Sequence, residues 1–343
     1  MSVYKDSLAL PAWAVDDIRA FLLTYGRAPG HLEVRQLESW WFNLVLKIEA
    51  DGDALVLRRY GATTLDEVRW ELAVLDHLRK HDFPTIRPLT RADLANEPLG
   101  EFLGKPAILY PFIEGHHAHG LDWEIAMPQA VQAIARLHRL TQELAIPHPR
   151  VRSGTESRRL LQEFLDFTTQ RGIRGDELAL QQLVTHARDV LLGIERRIAQ
   201  VGADLPRGVV HHDAHYFNVL FREDEMVALI DFDDAYEGYL LADLAALVVS
   251  WAGDWDTGDP LHLEAAVRVM HAYERERPLT WAERELLPDF VLLFLLGDGA
   301  TDIQDALERG DHANTAVQSA KAYQRFLHHL DDAEWFNALR GAV

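Results

Sequence analysis

The sequence predicts an α+β fold of two lobes. Three observations lead there. Residues 34–60 carry short runs of partly alternating apolar and polar side chains, broken at Asp51-Gly52, a strong tight-turn signal. From residue 64 onward, apolar residues recur every three or four positions, first over 64–81 and then, past a strand-like stretch, repeatedly toward the C-terminus. The chain has 343 residues, enough to bury two cores. We expect a small lobe over residues 1–109, an antiparallel sheet plus helix, and a larger, mainly helical lobe over residues 110–343.

In chain order, residues 12–25 read as a helix with Trp13, Ile18, Phe21 and Leu22 on one side. Asp16 and Asp17 near its start suit the positive end of the helix dipole. Val34–Leu37 and Phe42–Ile48 form a hairpin joined by Glu38-Ser39-Trp40-Trp41, and Ala54–Tyr60 is the next strand. The helix over 64–81 buries Val68, Leu72, Leu75 and Leu78, and Thr64 with Glu67 forms a capping box at its start. Ile86–Leu89 and Phe102-Leu103 read as short strands, and Pro106–Gly115 as a strand running into a turn. Residues 127–142, 157–170 and 176–200 are helical. Val219–Phe221 and Met226–Ile230 are β-rich runs flanking the polar turn Arg222–Glu225. Helices follow at 239–251, 261–276, 280–296 and 315–330.

Composition narrows the function classes. Lysine plus arginine is 34 and aspartate plus glutamate is 54, a formal charge of −20. That argues against nucleic acid and against an anionic membrane surface as partners, and it is compatible with a cationic or neutral substrate. There is no cysteine, so disulfides, thiolate metal sites and a catalytic thiol are excluded. The first residues lack a basic run followed by an apolar core, and the longest apolar runs, such as Val291–Leu296, are too short to span a bilayer. A cytoplasmic protein is the expectation.

The chemistry concentrates in Val210–Asn218 followed by Leu229–Asp234. This reads H-x-D-x-x-x-x-N, a short hairpin, then I-D-F-D. A loop thus carries Asp213 and Asn218, and the hairpin is expected to return Asp231 beside them. Phosphoryl transfer from a nucleotide needs a carboxylate to orient and deprotonate the attacking hydroxyl, and oxygen ligands that hold Mg²⁺ against the phosphates. Asp213 fits the first role, and Asn218 and Asp231 fit the second.

The stretch resembles the catalytic core of the aminoglycoside phosphotransferase and choline kinase superfamily, whose usual text is close to H-G-D-x-H-x-x-N-V-L and then I-D-F-x-D. His211, Asp213, His215, Asn218, Val219, Leu220, Ile230, Asp231 and Phe232 match it, and Asp243-Leu244-Ala245 stands where the family has D-L-A. The resemblance implies a two-lobed protein-kinase-like fold and transfer of the ATP γ-phosphate to a hydroxyl of a small molecule. It implies a strand cation for the non-transferred phosphates, here Arg58 where lysine is usual, paired with Glu71 on the following helix. It implies that the segment around Tyr110 and Phe112 receives the adenine, and that Asp243 supports the catalytic loop. His138 sits in a match to the family's L-A-x-L-H helix and reads as a core histidine. The phosphate-covering loop departs from the family: Ser39-Trp40-Trp41 holds no glycine, and Asn43 follows it as in relatives.

The expected cofactors are ATP and Mg²⁺, and the expected partner is a small-molecule hydroxyl substrate such as an amino alcohol, an aminoglycoside or a sugar derivative. Two rivals stay open. One is a nucleotide-binding regulatory protein without activity, prompted by the glycine-poor loop and by Arg58. The other is a zinc hydrolase built on His211, His212, Asp213 and His215.

Overall fold

The computed structural model describes residues 12–37, 43–95, 97–118, 120–142, 177–253, 262–308 and 333–341, with isolated positions between 144 and 169. The loop at Ser39-Trp40-Trp41, the expected helix at 315–330 and most of that at 157–170 lie outside the described residues. The chain divides into two compact units, one containing Met1–His117, Ile146–Pro149 and Val219–Asp233, the other containing the remainder. The architecture is the expected α+β one, a smaller unit built on antiparallel sheet and a larger, mainly helical unit.

In chain order the first elements are α1 (Ala12–Thr24), β1 (Leu32–Gln36), β2 (Leu44–Ala50), β3 (Asp53–Arg59) and α2 (Leu65–Lys80). Next come β4 (Gly100–Phe102), β5 (Lys105–Pro111), β6 (His116–His117), α3 (Trp123–Thr141) and α4 (Glu177–Val201). Then follow β7 (Arg207–Val210), β8 (Val219–Arg222), β9 (Glu225–Leu229), β10 (Tyr236–Tyr239) and α5 (Leu241–Ala252). The last described are α6 (Leu263–Glu274), α7 (Trp281–Glu308) and α8 (Ala333–Gly341).

In the smaller unit, five strands pair antiparallel in the order β1-β2-β3-β5-β4. Side chains alternate across a strand, so the two faces of β3 differ. Leu55 and Leu57 join Leu46, Ile48, Ala107 and Leu109 in a core closed by Ile18, Phe21 and Leu22 of α1. Val56 and Arg58 take the opposite face. The capping box of α2 forms as expected: Glu67 N–H donates to the Thr64 hydroxyl, and Thr64 N–H donates to the Glu67 carboxylate. The α2 face that buries Val68, Leu72, Leu75 and Leu78 also buries Glu71. The hairpin β8–β9 is present with Arg222 and Glu225 paired at its turn, and β6 extends it by pairing with β8. Gly115 lets that approach happen, because a Cβ there would stand 2.8 Å from the Phe221 carbonyl oxygen.

The strand expected at Ile86–Leu89 does not form. The segment makes single attachments instead: Thr85 bridges Leu229, and Leu89 N–H donates to the Leu109 carbonyl. Pro84 and Pro88 interrupt any ladder, since proline has no N–H to give.

In the larger unit, α5 is mostly apolar and buried along most of its length, with Ala242 and Ser250 partly exposed and Asp243 as its buried charge. It packs against α6 and α7, and α3 packs against α6. Helix α3 starts earlier than its apolar spacing predicts, because the Asp122 carboxylate accepts the Glu124 N–H and caps it. A second capping box opens α7 through Thr280 and Glu283. The pairing of β7 with β10, Val210 opposite Tyr236, was not legible in the sequence. Among the described residues, no helix is long and apolar enough to cross a membrane.

Candidate active site

Strand β7 runs straight into the loop that begins at His211. The loop is anchored from beneath. Asp243 on α5 accepts the His211 N–H at 2.6 Å through Oδ2 and the His212 N–H at 2.7 Å through Oδ1. Burial works against the Asp243 charge. Hydrogen bonds from His138 and the His211 backbone outweigh it and hold the carboxyl below its usual range. His212 carries φ +72°, the left-handed region that glycine adopts without cost. It occupies the position where the usual family text has glycine, so the conformation is kept although the residue is not.

Asp213 follows, and both of its carboxylate oxygens are engaged. Oδ2 accepts from Asn218 Nδ2 at 2.7 Å, and Oδ1 faces His215 Nε2 at 3.1 Å. Burial pushes the Asp213 carboxyl up, but His215, His211 and Asn218 together push it further down, so the group is ionised. A hydroxyl proton would meet a carboxylate already in the basic form and already oriented. Asn218 also donates to the Asp213 carbonyl at 2.8 Å, which fixes its NH₂ end on Asp213 and leaves Oδ1 as its acceptor end.

Behind Asp243 runs a buried chain of polar groups. His138 Nε2 lies 2.9 Å from Asp243 Oδ2, and His138 Nδ1 lies 2.6 Å from the Tyr273 hydroxyl. Burial drives the His138 pKa down against the pull of Asp243, so the ring is neutral and the contact is a hydrogen bond rather than an ion pair. An ionised Asp243 only accepts, so His138 carries its proton on Nε2 and Nδ1 accepts from Tyr273. Tyr273 in turn accepts from Arg277 Nη1 at 3.0 Å, and the same nitrogen donates to Glu283 at 2.8 Å. The sequence placed His138 in the core but gave it no partner. Tyr273 and Arg277 carried no sequence signal for this role, and Glu283 carried only that of the capping box it forms with Thr280.

In the smaller unit, Arg58 lies near the end of β3, almost fully buried. Its Nη2 bonds Asp231 Oδ1 at 2.6 Å and Asp233 Oδ2 at 2.7 Å. Burial opposes the charge of Arg58, and the two aspartates more than restore it. Asp233 also accepts from Asn43 Nδ2 at 2.7 Å, and Asn43 Oδ1 accepts the Gly61 N–H at 3.0 Å. Two residues thus gain defined contacts. They are Asn43, part of the family match, and Asp233, two places after Asp231. Asp231 has φ +70°, a backbone state uncommon for a residue other than glycine and frequent at functional turns.

Glu71 is brought into the same buried patch, near Arg58 and Tyr60, but no Arg58–Glu71 ion pair forms within 4.0 Å. Both Glu71 oxygens are buried without a hydrogen bond of ordinary geometry. Burial drives its pKa up to about 8, against the attraction of Arg58 and the neighbouring Tyr60 hydroxyl. Tyr110 sits on β5 opposite Val56, with its hydroxyl pKa raised by burial. Phe112 lies just past β5, with the Lys47 ammonium 4.2 Å above its ring.

In the smaller unit, Asp231 and Asp233 place two carboxylates, oxygen donors of the kind a hard divalent cation prefers, against the single guanidinium of Arg58. Among the described residues, no group of three or more His, Asp or Glu side chains is arranged to hold a metal by itself, as a zinc centre would require.

A sheet-based unit carrying a buried strand cation, and a helical unit carrying an anchored carboxylate loop, are the parts of a kinase-type phosphotransferase. The model of the Phosphotransferase enzyme family matches residues 33–287, and the chain belongs to that family. It is an enzyme of the small-molecule kinase class, moving phosphate from ATP to a hydroxyl of a small molecule. The chain is 28% identical over 288 residues to a homoserine kinase of Gluconobacter oxydans (strain 621H), covering 82% of this chain and 85% of that protein. Two solved structures share the fold. A microcompartment-associated aminopropanol kinase aligns with TM-score 0.66 at 21% identity, over 92% of this chain and 98% of that one. A spectinomycin phosphotransferase aligns with TM-score 0.62 at 13% identity, over 96% and 98%.

Proposed function

We propose that this chain phosphorylates the hydroxyl of an amino alcohol, homoserine first, with ATP and Mg²⁺. One observation carries the choice of base: Asp213 is ionised and held at both carboxylate oxygens, on a loop whose backbone is tied to Asp243. The choice of acceptor rests on the homoserine kinase likeness, which extends over most of both chains.

Asp213 orients the acceptor hydroxyl and takes its proton as the oxygen attacks the γ-phosphorus. The bond to the β–γ bridging oxygen breaks, and that oxygen leaves with ADP. Arg58 neutralises the non-transferred phosphates, and its guanidinium suits phosphate oxygens through paired N–H groups. Asp231 and Asp233 balance the Arg58 charge, while Glu71, its pKa raised by burial, lies in the same patch. Tyr110 and Phe112 flank the adenine. Asn218 and Asp231 would hold Mg²⁺, which when bound neutralises charge that develops on the phosphates. The remaining contribution is positioning, with no covalent enzyme intermediate. We assign the reaction to the cytoplasm, with which the cysteine-free sequence is compatible.

The test is Mg²⁺-dependent ATP consumption with homoserine, other amino alcohols, aminoglycosides and sugars, with Asp213→Asn as control. Turnover with homoserine that is lost in the variant is the expected result. Undiminished turnover in Asp213→Asn would remove Asp213 as base, and turnover with another class alone would replace the acceptor.

A further inference from the structure

We propose that His215 is a positioning residue for Asp213, acting as a fixed hydrogen-bond donor and not as a proton relay. The proposal rests on the reading of Asp213 as the group that receives the hydroxyl proton.

The hydrogen-bond partners of His215 fix which ring nitrogen holds the proton. Phe217 N–H donates to His215 Nδ1 at 3.1 Å. A backbone amide can only donate, so Nδ1 is the bare nitrogen and the neutral ring carries its proton on Nε2. That nitrogen faces Asp213 Oδ1 at 3.1 Å. The tautomer is thus assigned by the partners, in the way that ring protons are ordinarily assigned.

The same residue is fastened through its backbone. His215 N–H donates to the Asp213 carbonyl at 2.9 Å, and the His215 carbonyl accepts the Asn218 N–H at 3.0 Å. The ring is braced edge-on by Tyr216 and Phe217, with centroids 5.9 Å and 5.8 Å away. Ring, loop and carboxylate therefore form one closed unit. Asn218 fixes one Asp213 oxygen from one side, and His215 fixes the other.

In this tautomer no lone pair on His215 faces Asp213, so a proton that Asp213 takes cannot pass to the ring at Nε2. It stays on the carboxyl until product leaves. His215 contributes by preventing rotation of the carboxylate, an effect on kcat rather than on nucleotide affinity.

Two measurements test this. The first needs no turnover: ¹⁵N ring resonances of the full-length protein at alkaline pH, with His215 assigned by its loss in His215→Gln. The expected pattern is a protonated Nε2 and a bare Nδ1. A proton on Nδ1, or averaging between tautomers, overturns the proposal. The second compares two variants in the ATP assay. His215→Phe keeps the ring bulk without the donor, and its kcat is expected to fall about tenfold or more while KM for ATP moves less than about twofold. His215→Gln returns an uncharged N–H donor and is expected to recover most of that loss. Equal loss in both variants means that the imidazole itself moves the proton, and no loss in His215→Phe means that the contact is idle; either result sinks the idea. If the wild-type protein turns over no acceptor, the functional reading fails by itself, and the ring resonances still decide the tautomer.

Discussion

His138 and Asp243 meet at 2.9 Å with both side chains fully buried, the histidine neutral and the aspartate ionised. Asp243 therefore holds three donors: one imidazole N–H, and the backbone N–H groups of His211 and His212. The loop before Asp213 is fixed by a carboxylate that Tyr273 and Arg277 support from deeper in the helical unit.

Removing that carboxylate strands three buried donors. Asp243→Ala is expected to cost about 3–5 kcal/mol in urea unfolding, in the range for breaking a buried charged network. Tyr273→Phe removes one hydroxyl and leaves His138 Nδ1 unsatisfied, for about 1–3 kcal/mol. A cost below about 0.5 kcal/mol for Asp243→Ala would show that the loop is held by other means.

Glu71 gives a pH dependence of opposite sign to the usual carboxylate. Its pKa in the folded protein is about 8, above the ordinary value of 4.5, so the folded state holds this proton more tightly than the unfolded chain does. The associated stability is fully present below the ordinary carboxylate range and is lost as pH rises toward about 8. Glu71→Gln keeps the shape and removes the titration. Its melting temperature relative to wild type is expected to be higher at pH 8 than at pH 5. An offset equal at both values contradicts the assignment.

His212 occupies a left-handed backbone position without being glycine. Its ring lies against Tyr236, 5.5 Å between centroids, which offsets part of the conformational cost. His212→Gly relieves the backbone and loses the ring contact, so stability is expected to change by less than about 1 kcal/mol. His212→Val loses the same contact and keeps the strain, and is expected to be less stable than the glycine variant by about 1–2 kcal/mol. Equal stabilities in thermal melts would show that the backbone relaxes elsewhere.

Arg58→Gln removes the cation that faces Asp231 and Asp233. On the proposed assignment, kcat/KM for ATP is expected to fall about 100-fold, near 2.7 kcal/mol, with little change in KM for the acceptor at saturating ATP. A loss confined to acceptor KM would move Arg58 to the acceptor side of the reaction.

Much of this is legible in the sequence itself. The hairpin turn at Asp51-Gly52 between β2 and β3, the Thr64–Glu67 capping box and the apolar face of α2 are properties of residues a few positions apart, and each formed as read. Such patterns act over one turn or one pleat, so the local sequence contains the whole cause. The spacing of Asp213, Asn218 and Asp231 is likewise written along one short stretch, which is why the family resemblance could be read there. The β7–β10 pair was illegible because each strand is only four residues long and finds its partner across an intervening loop and hairpin.

What the sequence could not decide is which buried charge meets which. His138 finds Asp243 across 105 residues, and Arg58 finds Asp231 across 173. Glu71, expected beside Arg58, is in the same patch without an ion pair, while Asp233 and Asn43 complete the contacts around the cation. Periodicity buries a residue by local rule, but the partner of a buried polar group depends on which distant segments the core brings within about 3 Å, where hydrogen bonds form or are lost. By itself the sequence determined the order of elements, the class of fold and the chemistry of the loop; tertiary packing alone chose the partners of Asp243 and Arg58.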